Sequence, residues 1–132
     1  MGLPGSGKTT LAKELKKKLK AAWINADKIR KKYNNWDFSK NGVIKQARRM
    51  KKISKISKKK ITIVDFVCPY EKGRKIFKPD YLIWMDTVKK GRFSTFDKSF
   101  EKPKRFNFKI KKKKAKFYSK RIIDDLKKVY VQ

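Results

Sequence analysis

Leu11, Leu15 and Leu19 recur every four residues inside a lysine-rich stretch, which puts one apolar stripe on a helix from about Gly7 to Leu19. Ala22-Trp23-Ile24-Asn25 follows as a short strand candidate ending on a polar residue. Ala26 to Tyr33 reads as a short helix, broken by Asn34-Asn35. Ser39 is positioned to cap a longer helix reaching about Lys58, with Val43, Ala47, Met50 and Ile53 as its inner face. Ile61-Thr62-Ile63-Val64 is a mostly apolar run closing at Asp65, the pattern of a buried parallel strand. Tyr70 to Phe77 reads as a helix, Tyr81 to Met85 as a strand ending at Asp86, and Phe106 to Ile110 as an alternating outer strand. A polar, aromatic-dotted, lid-like loop fills about 89–105. A last helix from Lys112 to Tyr130 would turn Phe117, Ile122, Leu126 and Val129 inward. Strands alternating with helices predict an α/β fold, a parallel sheet flanked by helices on both faces. With no repeat and no dividing linker, the 132 residues are expected to form one domain.

The densest chemical signal lies at the start of this pattern. Gly2, four further residues, then Gly7-Lys8-Thr9 is a complete phosphate-binding loop. Its glycines let backbone N–H groups face a phosphate, Lys8 reaches the β- and γ-phosphates, and the Thr9 hydroxyl suits Mg²⁺. Gly5, Ser6 and Thr10 complete the nucleotide-binding set, because the helix that follows aims its positive end at the anion. ATP and Mg²⁺ are therefore the expected ligands. Such a loop normally hangs from a buried strand, and only Met1 precedes Gly2. The expectation is a sheet lacking its N-terminal strand, a missing stretch of roughly five to eight residues.

In a parallel α/β sheet, ligands sit beyond the carboxyl ends of the strands. That rule selects Asp27 with Arg30, the run from Asp65 to Pro69, and Asp86. Asp27 suits a contact to Mg²⁺ or to a substrate hydroxyl, and equally a helix-start aspartate stabilised by the helix dipole. Asp65 ends the strand expected beside the loop and could hold Mg²⁺ through water, or act as a structural cap. Asp86 is read as structural.

Composition narrows the rest. The absence of histidine removes imidazole bases and imidazole metal ligands. Cys68 is alone, which excludes an intrachain disulfide and makes a reducing cytoplasm the simplest setting. Forty-one Lys and Arg against eleven Asp and Glu give a net charge of +30. Most of it is lysine, spread without one obvious stripe and accompanied by abundant Ile, Phe, Tyr and Asn. That is the signature of A/T-rich codon usage on a solvated surface, so no specific nucleic-acid partner is expected. Non-specific adhesion of polyanions at low salt is.

The segments Gly2 to Thr10, Asn25 to Arg30, Trp36-Asp37-Phe38-Ser39, Gln46 to Met50 and Asp65 to Pro69 resemble the adenylyl-sulfate kinase family, in order and over most of the chain. The resemblance implies a phosphate-loop kinase that moves the ATP γ-phosphate to the 3′-hydroxyl of the small molecule adenylyl sulfate. It implies that Lys8 and Asp27 are catalytic, Asp27 orienting the 3′-hydroxyl and helping with Mg²⁺. Arg30 and Arg49 would grip the phosphosulfate and ribose side, and Phe38 would stack on the adenine. Phe96, or else Phe93 or Phe100, would cover the other face from the lid loop. The sequence departs from the family at Val43, where an arginine is usual, and at Asn25, Gln46 and Cys68. Two other readings share the loop: a polynucleotide 5′-hydroxyl kinase, and a non-catalytic binder of ATP or polyanions. Whether the chain works as a monomer or a homodimer stays open.

Overall fold

The computed structural model describes residues 1–89 and 98–130. After the phosphate loop come α1 (Lys8–Leu19), β1 (Ala22–Asn25), α2 (Ala26–Tyr33), α3 (Lys40–Ile56), β2 (Thr62–Asp65), α4 (Glu71–Phe77), β3 (Ile83–Met85), β4 (Phe108–Ile110) and α5 (Ala115–Tyr130). Every element expected from the hydrophobic pattern is present. The third and fourth strands are shorter than the pattern suggested, starting at Ile83 and Phe108.

Both strand pairings are parallel. β1 runs beside β2 from Ala22↔Thr62 to Asn25↔Asp65, and β3 beside β4 from Ile83↔Phe108 to Met85↔Ile110. Met1 lines the edge of β3 opposite β4. Its nitrogen donates to the Ile83 carbonyl and its carbonyl accepts from the Met85 amide, both at 2.8 Å. These are ladder bonds, so Met1 takes the position of a strand residue leading into the loop. Among the described residues the sheet is thus two parallel pairs with Met1 on the inner edge of β3.

Side chains alternate across this sheet, as the two-residue period requires. Val64 and Trp84 join Met1, Ala47, Met50, Phe66 and Cys68 in one buried cluster, covered by α3 and α4. Ile63, Ile83, Met85 and Ile110 face the other way, onto Leu11 and Leu15 of α1 and Ile122 of α5. Helices therefore cover both faces. At the start of α3 the Ser39 hydroxyl accepts from the Gly42 amide at 3.2 Å, as a capping residue should. Gly42 has no room for a side chain there: a Cβ would lie 2.4 Å from the Asp37 Cγ and carbonyl oxygen.

One expectation about the last helix is corrected. Ile122 is fully buried and Leu126 packs inward, but Phe117 and Val129 are 51% and 53% exposed. The sequence offers apolar residues on more than one face of α5, and packing against α1 selects among them. Lys18 donates to the Ser119 hydroxyl at 2.7 Å, which fixes the rotation with Ser119 and Ile122 inside. Phe117 lies instead against Tyr118 and under Arg121. Urea denaturation checks this phase: Ile122→Ala is expected to cost about 2–5 kcal/mol and Phe117→Ala less than about 1. The reverse order would mean that α5 is rotated.

Candidate active site

Close backbone approaches and hydrogen bonds shape the phosphate loop. Gly2 sits against the end of β3 so closely that a Cβ would meet the Met85 carbonyl oxygen at 2.6 Å. Gly5 and Gly7 hold φ of 84° and 97°, left-handed values that a side chain would strain. The Ser6 amide closes the turn onto the Leu3 carbonyl at 3.1 Å, while the Thr87 hydroxyl donates to the Ser6 carbonyl at 2.6 Å. Lys8 reaches back across the loop, donating to the Gly2 and Leu3 carbonyls at 2.9 and 3.0 Å.

The loop is built for an anion. Gly7 gives α1 no side-chain cap, and the first turn carries no acidic residue, so the positive end of the helix is uncompensated. The Ser6 hydroxyl is buried within the loop without a hydrogen-bond partner among the described residues. Thr9 and Thr10 are exposed at the helix start, where a ligand can reach them. Beside the loop lies a cleft with Leu11, Met85, Ile110 and Tyr118 on its apolar side and Lys112, Lys113 and Lys114 on its rim. The pattern along the sequence had read those lysines as solvated surface; the turn from β4 into α5 brings them to the anion site.

The two candidate metal carboxylates are positioned by neighbours. Asp65 is buried at the end of β2, and both Trp23 Nε1 and Asn25 Nδ2 donate to its Oδ2, at 2.9 and 2.8 Å. Asn25 also caps α2 by accepting from the Lys28 amide at 3.1 Å, which sets the turn carrying Asp27. Asp27 itself is exposed. Among the described residues no group of three acidic, cysteine or histidine side chains is arranged to hold a metal. The hard oxygens of Thr9, Asp27 and Asp65 fit Mg²⁺ only as partial ligands, with phosphate oxygens and water completing the shell.

A second cationic region follows β1. Arg30 is buried on α2, donates to the Asn35 and Asp37 carbonyls at 3.2 Å each, and lies 4.4 Å from the Phe38 ring centre. Burial lowers its pKa first, and the neighbouring Arg49 lowers it further. Arg49 is held by Gln46 Oε1 at 2.8 Å and lies over Tyr33. Phe38 is 41% exposed beside Trp36. The fold thus gathers Arg30, Phe38 and Arg49, with Asp27 one helical turn from Arg30. Two guanidinium groups crowded together repel, and an oxyanion between them would relieve that.

Phe96 and Phe93 lie outside the described residues. Phe100, the other alternative, is a core residue: it packs on both the Trp84 and the Leu3 clusters, under Arg74. Arg74 was not singled out in the sequence. It is buried, donates to the Cys68 carbonyl at 3.0 Å and the Glu101 carbonyl at 2.5 Å, and pairs with Glu71, tying the segment after the loop to α4. Thr87, Trp23 and the double role of Asn25 were also missed, because each acts through a contact between distant segments. Asp86 pairs with Lys111 at 2.8 Å and Lys109 at 3.7 Å, contacts that fit the structural reading. Burial alone would raise its pKa, but these lysines outweigh it and hold it low.

The family model for adenylylsulphate kinase matches residues 1–82. No curated protein matches the sequence. Among solved structures the fold is similar to that of the Mycobacterium tuberculosis APS kinase CysC, solved in complex with AMPPNP and APS. The TM-score is 0.83 at 18% identity, over 96% of this chain and 94% of that one. A cysteine-to-alanine mutant of the same enzyme superposes with a TM-score of 0.77 at 19% identity, over 96% and 93% of the two chains. No helix among the described residues is long and apolar enough to cross a membrane.

Cys68 is 5% exposed, and burial pushes its thiol up to about 11. Folding therefore keeps the proton on, and stability is expected to fall as pH rises from about 9 towards 11. Titration with a thiol reagent at pH 8 should give no reaction in the native protein and one equivalent after denaturation. Prompt native reaction would show the thiol to be accessible.

Proposed function

The chain belongs to the adenylylsulphate kinase family, and from that premise we propose that it transfers the γ-phosphate of ATP to the 3′-hydroxyl of adenylyl sulfate, giving 3′-phosphoadenylyl sulfate and ADP. The observation that carries this reading is the pairing of an uncompensated helix start at the phosphate loop with a separate arginine and aromatic rim after β1. A protein that only bound a nucleotide would need the first and not the second.

Phosphoryl transfer asks a protein for positioning and charge neutralisation more than for covalent chemistry. Backbone amides of Gly5 to Thr10 hold the triphosphate, and Lys8 offers its ammonium at the oxygens that gain charge as the bond to the leaving ADP breaks. The apolar cleft beside Leu11, Ile110 and Tyr118 suits the nucleoside end of ATP, with Lys112 to Lys114 near its phosphates. Arg30 and Arg49 grip the phosphosulfate, which a planar guanidinium does in bidentate fashion. Phe38 supplies a face for the adenine of the acceptor. Asp27 accepts a hydrogen bond from the 3′-hydroxyl and aims its oxygen at the γ-phosphorus. Thr9, Asp27 and Asp65 would hold Mg²⁺, which when bound neutralises phosphate charge.

A coupled ADP-release assay with adenylyl sulfate tests the reading. Lys8→Ala and Asp27→Asn are each expected to lower kcat about 100-fold or more, with Asp124→Asn on the exposed side of α5 unchanged. ATP binding without transfer to adenylyl sulfate would leave only a nucleotide binder and overturn the proposal. Within the same assay, Arg49→Gln should raise KM for adenylyl sulfate about 10- to 100-fold and leave KM for ATP unchanged. Equal effects on both would move Arg49 out of the acceptor site.

A further inference from the structure

A second concave surface runs along α1 from Lys13 to its C-terminal end. It is a groove of about 540 Å³ whose floor is Ala21, Ala22 and Trp23 and whose wall includes Lys13, Lys16, Lys17, Lys20 and Lys59. No carboxylate lines it, and none of the five lysines forms an ion pair among the described residues. It shares no lining residue with the cleft beside the phosphate loop, and its nearest helical residue, Lys13, is five residues along α1 from Lys8, a rise of about 7.5 Å.

The arrangement costs the free protein electrostatic energy. Lys13 with Lys17, and Lys16 with Lys20, are like charges four residues apart, which disfavours the helix. Lysines in the last turn can be explained by the negative end of the helix dipole. Lys13 lies outside that turn, and Lys59 comes from a different segment, the connection between α3 and β2. Two separate parts of the chain therefore converge their cations on one hollow. As with Lys112 to Lys114 beside the phosphate loop, the fold gathers lysines here, adding Lys59 to a run already dense in the sequence.

We propose that this groove binds single-stranded nucleic acid through its phosphodiester backbone. Lysine ammonium groups act as point charges that track phosphates without reading sequence. A concave groove admits one flexible strand, and the half-buried Trp23 indole, its N–H held by Asp65 and Lys28 against its ring, adds some aromatic surface to the lining, the combination found in sequence-tolerant single-strand binders. A duplex presents a convex surface that cannot enter the hollow. An acidic protein segment would gain no use from the indole.

Binding of a labelled oligothymidylate of about 20 nucleotides, measured by fluorescence anisotropy across a salt series, tests this. For a single strand the slope of log K against log salt is about 0.7 per phosphate neutralised, so five lysines predict a slope near −3.5. The triple variant Lys13→Gln, Lys17→Gln, Lys20→Gln should reduce that slope by about 2 and weaken binding at least tenfold near 0.1 M salt. A control triple, Lys52→Gln, Lys55→Gln, Lys127→Gln, removes the same charge from exposed positions elsewhere and should leave the slope nearly unchanged. ATP with Mg²⁺ should not compete. Equal losses in the two triples would mean diffuse charge rather than a site, and would overturn the proposal. Competition by ATP, or equal affinity for a duplex of the same length, would overturn it too.

Discussion

The structure depends on one backbone contact, the close approach of Gly2 to Met85. Because no side chain intervenes, the phosphate loop starts directly on the end of β3, and α1 leaves it at a fixed angle. Met85 then serves both sides: its backbone meets Gly2 and the Met1 carbonyl, while its side chain joins Leu11, Leu15, Ile110 and Ile122 in the core. A shift of α1 against the sheet would open the loop, and a bulkier residue at position 2 would push the loop off the strand. Thr87 adds a second tie to the Ser6 carbonyl two residues further along the same chain. Core packing and anion geometry are thus one constraint.

The second constraint is charge. With 41 basic and 11 acidic residues, carboxylates cannot neutralise the cations. The described residues show four ion pairs against nine cation–ring contacts, so aromatic faces carry much of what carboxylates carry elsewhere. Arg30 on Phe38 and Arg49 on Tyr33 are cases where this solution holds a guanidinium, buried in the first and half-buried in the second, without pairing it to an acid. Such a group stays available to an oxyanion. The abundance of phenylalanine, tyrosine and lysine is therefore more than a codon bias on the surface; the fold pairs them.

Much of this was legible in the chain. The four-residue spacing of leucines gave α1, the apolar run closing at Asp65 gave β2, and Ser39 gave the start of α3, because each signal is local. The phosphate loop was legible for the same reason. What could not be read was anything set by two distant segments. The rotation of α5 depends on Lys18 meeting Ser119, and the apolar residues of α5 alone allow other phases. Phe100 looked like a loop aromatic free to stack on a substrate until Arg74 and two core clusters claimed it. The orientation of Asp65 rests on Trp23 and Asn25, forty-odd residues away. The candidate site residues were chosen by type and position; the groups that aim them were not legible.

Val43 shows how the two constraints meet. The family resemblance expects an arginine at this position, yet here the side chain is 7% exposed and packs against Leu3 in the loop itself. An arginine cannot occupy that place without carrying its charge out past Leu3, Val67 and Tyr70 or leaving the cluster. The apolar choice therefore braces the phosphate loop from below at the expense of one cationic contact. Under the proposed function two arginines remain for the acceptor, and Arg30 is already fixed by the Asn35 and Asp37 carbonyls and by Phe38. A pre-positioned guanidinium loses less side-chain entropy on binding than a free one. On the proposed function, fewer cations held more rigidly can grip the same anion, and the backbone turn from Asn35 to Asp37 would then share in acceptor recognition with the arginine it holds.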